Sequence, residues 1–179
     1  MIREFSIKAR SSNGKARTAF IVLMLFAFGL VAVSAIIDSY RGLVSMAAVG
    51  FLSLAIVLYT KYLASTYFYD ITFDSSGTPL LVVRQQTGKR HSTLCRIALS
   101  EIVKIEAESS KERRAHKTPY DTKKYSYLPS LEPDHSYRIT TSGRYEKAEI
   151  LIEISEEIGG LLSSYVNEAK SYQPTDDEF

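Results

Sequence analysis

The chain has 179 residues, 22 Lys/Arg against 20 Asp/Glu, and a single cysteine. That length fits one domain with an attachment; the lone Cys95 excludes an intrachain disulfide or a cysteine-built zinc site and fits a reducing compartment. The net charge of +2 lacks the concentrated basic footprint of a nucleic-acid-binding domain, so no nucleic-acid partner is expected.

The basic excess is local. Residues 1–17 hold Arg3, Lys8, Arg10, Lys15 and Arg17 against Glu4 alone, whereas residues 66–179 hold 15 Lys/Arg against 18 Asp/Glu, a net of −3. Residues 1–17 therefore read as a basic tail beside an apolar block. That block splits in two. TAFIVLMLFAFGLVAVSAII, 18–37, carries no charge, and its twenty residues as a helix span roughly 30 Å, the thickness of a bilayer's hydrocarbon. LVSMAAVGFLSLAIVLY, 43–59, is also uncharged and extends to Ala64 if Lys61 snorkels to the headgroups. Neither stretch has the polar face of a buried helix in a soluble protein. Two transmembrane helices, 18–37 and 43–64, are predicted.

Between them, Asp38-Ser-Tyr-Arg-Gly42 has the composition of a tight turn, so the helices form an antiparallel hairpin. Arg17, Tyr40, Tyr59, Lys61 and Tyr62 are the residues suited to the two membrane interfaces. Ala32, Ser34, Ala35, Ser45, Ala47, Ala48 and Gly50 cluster towards the turn and predict the closest helix packing there. Whether they also serve a homo-oligomer or merely avoid bulk stays open. A cleaved signal peptide ending near Val33-Ser34-Ala35 competes with this reading, but its apolar run would be too long and a second one comes at once. Five positive charges before the first helix against one in the turn predict both termini in the cytoplasm and localisation to the cytoplasmic membrane.

From 65 the pattern changes to short alternating stretches. TYFYDITFD (66–74), LLVVRQQ (80–86), RHSTLCRI (90–97), EIVKIEAE (101–108), 124–129, 135–141 and 146–154 read as seven strands, with Thr-Gly-Lys and Ser142-Gly-Arg144 as hairpin turns. A polar insertion, SSKERRAHKTPYDTK (109–123), separates the fourth from the fifth. The period then becomes helical: Ile158, Leu161, Leu162, Tyr165, Val166 and Ala169 share one face, Ser155 stands at the N-cap, Glu156 and Glu157 fill the first turn, and Pro174 stops the helix. Gly159-Gly160 costs such a helix roughly 1 kcal/mol per glycine, and a close approach to a sheet is the natural compensation. Residues 173–179 read as a disordered acidic tail.

RIALSEIVKIE, a strand–link–strand segment, and AEILIEISEEIGGLLSSYV, a strand running into the last helix, resemble small bacterial membrane proteins with a two-helix anchor and a C-terminal pleckstrin-homology-like (PH-like) domain. The resemblance covers about 18–171. It implies a PH-like domain over 65–172, a seven-stranded antiparallel sandwich or barrel closed by a C-terminal helix. It speaks for architecture more than activity, since one fold hosts many functions. Eukaryotic members collect lipid-binding basic residues around the first strand pair, where this chain has Asp74-Ser-Ser-Gly-Thr-Pro79, so none of those site residues carries over.

No catalytic motif is present. His91, His116 and His135 are scattered; His91 and Cys95 share a strand face but stand roughly 13 Å apart along it, too far for a thiol–imidazole pair. Cys95 reads as a small core-facing residue. No phosphate loop, nucleophile elbow or metal-ligand spacing occurs, so no enzyme, cofactor or metal is expected. Two stretches remain. SSKERRAHKTPYDTKK, 109–124, holds Lys111, Arg113, Arg114, Lys117, Lys123 and Lys124 against Glu112 and Asp121, a local net of +4. It is either a solvated loop or a contact to an anionic lipid surface. In YSYLPSLEPDHSY, 125–137, Tyr125, Tyr127 and Tyr137 either pack the core, as strand alternation favours, or face a protein partner. The expectation is a membrane-anchored, non-catalytic protein-interaction module, with an anionic-lipid module or an accessory subunit of a larger membrane complex as alternatives.

Overall fold

A computed structural model describes residues 2–9, 13–37, 39–133, 135–143 and 147–171. Asp38 of the expected turn, Arg10 of the basic tail, Arg144, Glu146 and the expected acidic tail 173–179 lie outside these residues.

Two helices, α1 (Gly14–Ile36) and α2 (Arg41–Leu58), pack as an antiparallel hairpin, and α2 runs on through a π-helical turn, Tyr59–Leu63. Both are long and apolar enough to cross a membrane. The helices are longer than the apolar runs: α1 begins before Thr18, and Arg41 and Gly42 belong to α2 rather than to the turn. Within the spans the buried residues are small, Ala27 and Ser34 on α1 and Ala48 and Ala55 on α2. They run the length of the hairpin instead of gathering at the turn, and Phe26 stacks on Phe51 midway, with ring centroids 5.7 Å apart. Large apolar side chains such as Leu25, Phe28, Ile36, Leu43, Met46 and Val57 point outward and are more than half exposed.

Among the described residues there are eight strands in two four-stranded sheets, not seven strands, and these sheets do not close into a barrel. The first sheet is an antiparallel meander of β1 (Phe5–Lys8), β2 (Ser65–Phe73), β3 (Pro79–Thr87) and β4 (Arg90–Ala98). A 3₁₀ turn, Leu99–Glu101, leads into β5 (Ile102–Glu108), followed by a short helix α3 (Ser110–Ala115), β6 (Thr122–Ser126), β7 (Ser136–Ser142) and β8 (Lys147–Ile152). The second sheet has the order β5-β7-β8-β6, and its β6 runs parallel to β8. The last helix, α4 (Glu156–Ser171), packs on β5 and on the 3₁₀ turn.

The extra strand corrects the reading of residues 1–17 as a tail. Phe5, Ser6, Ile7 and Lys8 pair with Ile71, Asp70, Tyr69 and Phe68, Ala9 donates to the Tyr67 carbonyl at 2.9 Å, and Ile2 and Phe5 pack on the core. The hairpin is thus an insertion between two neighbouring strands of one sheet. The core lies between the sheets and under α4, built from Tyr67, Tyr69, Ile71, Leu81, Val83, Leu99, Ile102, Ile139, Ile150, Ile152, Leu162 and Val166. Burying a side chain of this size is worth about 1.5–3 kcal/mol, which is why the alternating positions decide the strand faces.

α4 reaches that core through a glycine. A Cβ on Gly159 would lie 2.3 Å from Cζ of Tyr137, so the ring of β7 occupies the space that a side chain would need. Gly160 meets nothing within 4 Å, so the close approach expected of the pair belongs to Gly159 alone.

Candidate functional site

Four of the five expected interface residues gather at one end of the hairpin. Arg17 lies exposed on the first turn of α1; Tyr59, Lys61 and Tyr62 lie in the π-helical turn. Phe20 and Tyr59 join the two helices with ring centroids 5.6 Å apart, and the Lys61 ammonium sits 5.2 Å above the Tyr62 ring. Tyr40 marks the opposite end, exposed as the residue before α2. One residue beyond the π-helical turn and Ala64, the chain enters β2 at Ser65.

The basic stretch 109–124 is only partly a loop. Ser109-x-x-Glu112 is a capping box: the Ser109 hydroxyl accepts from the Glu112 amide and the Glu112 carboxylate accepts from the Ser109 amide at 2.8 Å. These bonds to Ser109 hold the Glu112 carboxyl below its ordinary range. The helix they start turns its two arginines onto the protein. Arg113 donates to the Ser136 hydroxyl at 3.2 Å, and Arg114 pairs with Glu132 at 2.6 Å. Glu132 also takes Lys15, from the first turn of α1, at 2.5 Å, and these two cations depress its carboxyl. α3 is thereby fastened to the base of the hairpin. Lys111, Lys117 and Lys124 are exposed and make no ion pair among the described residues, and Lys123 stands beside Lys124 on the edge strand β6. The structure therefore divides the six expected lipid-binding cations between internal partners and open surface.

Beneath α3 a chain of buried charge crosses the outer face of the second sheet. Glu108 on β5 pairs with Arg138 on β7; Arg138 lies 3.9 Å from Glu149 on β8; Glu149 takes His116 at 3.0 Å and the Thr118 hydroxyl at 2.9 Å. Glu108, Arg138 and Glu149 are each more than nine-tenths buried. Burial resists ionisation of Glu149, but the hydrogen bonds from His116 and Thr118 and the neighbouring positive charges win, and its carboxyl titrates below the ordinary range. A cleft of about 360 Å³ opens here between β5 and α3, lined by Glu108, Glu112, His116 and Arg138 among others. Among the described residues His116 is the one histidine in such a network. His91 is exposed, and His135 lies on the surface 3.9 Å from Glu156.

The three tyrosines separate. Tyr137 is 8% exposed and pressed against Gly159, where it packs with the core. Tyr127 packs partly on the core beside Cys95, and burial, with the neighbouring Cys95 and Tyr125, pushes its phenol up to about 12. The Cys95 thiol is itself raised by burial, against a hydrogen bond with Tyr127. Cys95 stands against the core, while His91 on the same strand faces solvent; the β4 bulge at Leu94 breaks the alternation that would have put both on one face. Tyr125 stacks on Tyr127 at 6.3 Å with nearly parallel rings and stays 40% exposed. It is the member of the trio available to a partner.

Two cations escape the sequence reading, Lys89 and Arg90 in the β3–β4 turn. The signal for them is present: residues 75–100 contain no Asp or Glu but four Arg/Lys, namely Arg84, Lys89, Arg90 and Arg96. What the sequence withholds is the register that pairs Ser65 with Thr87 and sets this turn beside the hairpin base. Among the described residues no group of three His, Cys, Asp or Glu side chains is placed to hold a metal ion. Comparison with known proteins finds no family model, no curated protein and no solved structure that matches this chain.

Proposed function

We propose that this chain is a membrane-anchored, non-catalytic interaction module: a transmembrane hairpin that holds a PH-like domain on the cytoplasmic face, where it engages a protein partner. The observation that carries the reading is the insertion of the hairpin between β1 and β2. The segment before α1 and the segment after α2 are neighbouring strands of one sheet, so the domain is built around the hairpin base. Such a domain cannot swing on a single linker.

Three further features support it. The outward face of the hairpin is a continuous sheath of Leu, Ile, Val, Phe and Met, which water does not tolerate at this size and lipid does. Arg3, Lys8, Lys15, Arg17 and Lys61 flank the domain end of the spans against Arg41 at the other, the asymmetry that keeps an end in the cytoplasm. Two sheets with a C-terminal helix packed over them fit a PH-like plan, in which β1 is supplied from ahead of the anchor.

For a partner, the surface on offer is the free edge of β6 with Tyr125 beside it, a strand edge plus an exposed aromatic. A photo-crosslinking residue at Ser126, exposed on β6 next to Tyr125, is expected to give a discrete protein adduct in native membranes. Tyr125→Ala is expected to remove it. Adducts to lipid alone, or an adduct indifferent to Tyr125, would end the protein-partner reading. The topology has its own test in a Cys95→Ser background: Ser39→Cys reacts with an impermeant maleimide on intact cells, whereas the exposed Tyr120→Cys reacts only after lysis.

A further inference from the structure

The geometry points to the β3–β4 turn, Thr87-Gly88-Lys89-Arg90, as a contact with the anionic headgroups of the leaflet that holds the hairpin; this inference rests on the membrane-anchored reading above. β2 leaves the hairpin base at Ser65 and runs away from it; β3 returns antiparallel beside it and reaches Thr87 opposite Ser65. Gly88 and Lys89 therefore continue past Ser65 towards the π-helical turn that carries Lys61 and Tyr62. Neighbouring strands lie about 4.8 Å apart, so the turn projects within one or two strand widths of the point where the chain meets the interface. Gly88 has φ +61°, the left-handed conformation that lets two strands reverse over so few residues and leaves the next side chains at the tip of the turn.

Those side chains are positively charged. Lys89, Arg90 and His91 are all exposed, and neither cation has an ion-pair partner among the described residues. No acidic residue lies anywhere between Ser75 and Ser100. This distinguishes the turn from α3, where Arg113 and Arg114 spend their hydrogen bonds on Ser136 and Glu132. With Arg17 and Lys61 the turn makes a basic rim around the hairpin base, and the complementary surface at that level is an anionic leaflet. The rim is open, with no enclosing pocket, so it reads charge density and not the identity of one headgroup.

The test uses the full chain in lipid nanodiscs, either zwitterionic or containing phosphatidylglycerol, with a fluorophore on His91→Cys in the Cys95→Ser background and quencher-bearing headgroups. The expected result is quenching that is stronger in the anionic discs. It should fall at about 1 M salt, where the screening length drops to roughly 3 Å. Lys89→Ser/Arg90→Ser should weaken the anionic excess by about thirty-fold in the contact equilibrium, the effect of two interfacial charges. Equal quenching in both lipids, or an anionic excess untouched by the double variant, overturns the inference and leaves the anchoring intact. A chain that is not retained in the discs at all refutes the anchoring instead.

Discussion

Gly159→Ala isolates the contact that seats α4 on the second sheet. Alanine is better than glycine in a helix interior by about 1 kcal/mol, so the substitution gains that much in the absence of any clash. The new Cβ, however, would stand 2.3 Å from Cζ, 2.5 Å from Cε1 and 2.6 Å from Oη of Tyr137. That ring is 8% exposed and closed in by the core, so it cannot rotate away and either the helix or β7 must shift. Overpacking of this kind costs about 1–3 kcal/mol. Gly160→Ala, one residue on, makes the same propensity gain and meets nothing within 4 Å. The difference between the two variants cancels propensity and leaves the clash, about 1–3 kcal/mol, or several degrees in midpoint for a domain of this size. Thermal unfolding of the detergent-solubilised chain, followed by near-ultraviolet tyrosine dichroism, should place Gly160→Ala at or above the parent and Gly159→Ala below it. Adding Tyr137→Leu to Gly159→Ala should cost less than the sum of the two single changes, because the pair is in contact. Equal midpoints for the two alanine variants would refute the packing argument.

Removing residues 2–9 should destabilise the β domain, because it exposes the β2 edge and strips Ile2, Phe5 and Ala9 from the core; added peptide of the same sequence should restore protection of the β2 amides in hydrogen exchange. Tyr69→Phe should cost about 1–3 kcal/mol in the same unfolding assay, since the Tyr69 hydroxyl donates to the Tyr127 carbonyl at 2.8 Å and accepts from the buried Glu153 amide at 3.1 Å. Glu149→Gln should flatten the acid limb of the stability curve. The folded carboxyl lies below its ordinary value of 4.5, so its contribution is complete above that pH and is lost as pH falls through the lower, folded value. The parent should therefore lose stability on acidification below about pH 4.5 more steeply than the variant, and parallel curves would count against the buried Glu149–His116 pair.

The strands after the hairpin were legible because each buries one face: Tyr67, Tyr69 and Ile71, or Ile150 and Ile152, announce themselves by alternation, and α4 by its change of period. β1 was not. Phe5-Ser-Ile-Lys8 is four residues long and flanked by charge, and its partner Ile71 lies beyond the whole hairpin, so nothing local signals the pairing. Alternation names faces, not neighbours, and for the same reason it missed the parallel seat of β6 beside β8. α3 carries a legible capping box, yet six residues are too few to show a period. The engagement of individual cations was hidden for a related reason. Charge density singled out 109–124, but density counts cations without their partners, and Arg113 and Arg114 are engaged. Lys89 and Arg90 are only two charges in sequence, and only the register that pairs Thr87 with Ser65 sets them beside the hairpin base. Both misses have one cause. A hairpin threaded between adjacent strands makes the N-terminal segment, the β3–β4 turn and the spans parts of a single assembly. A sequence read from one end to the other meets them as a tail, a loop and an anchor.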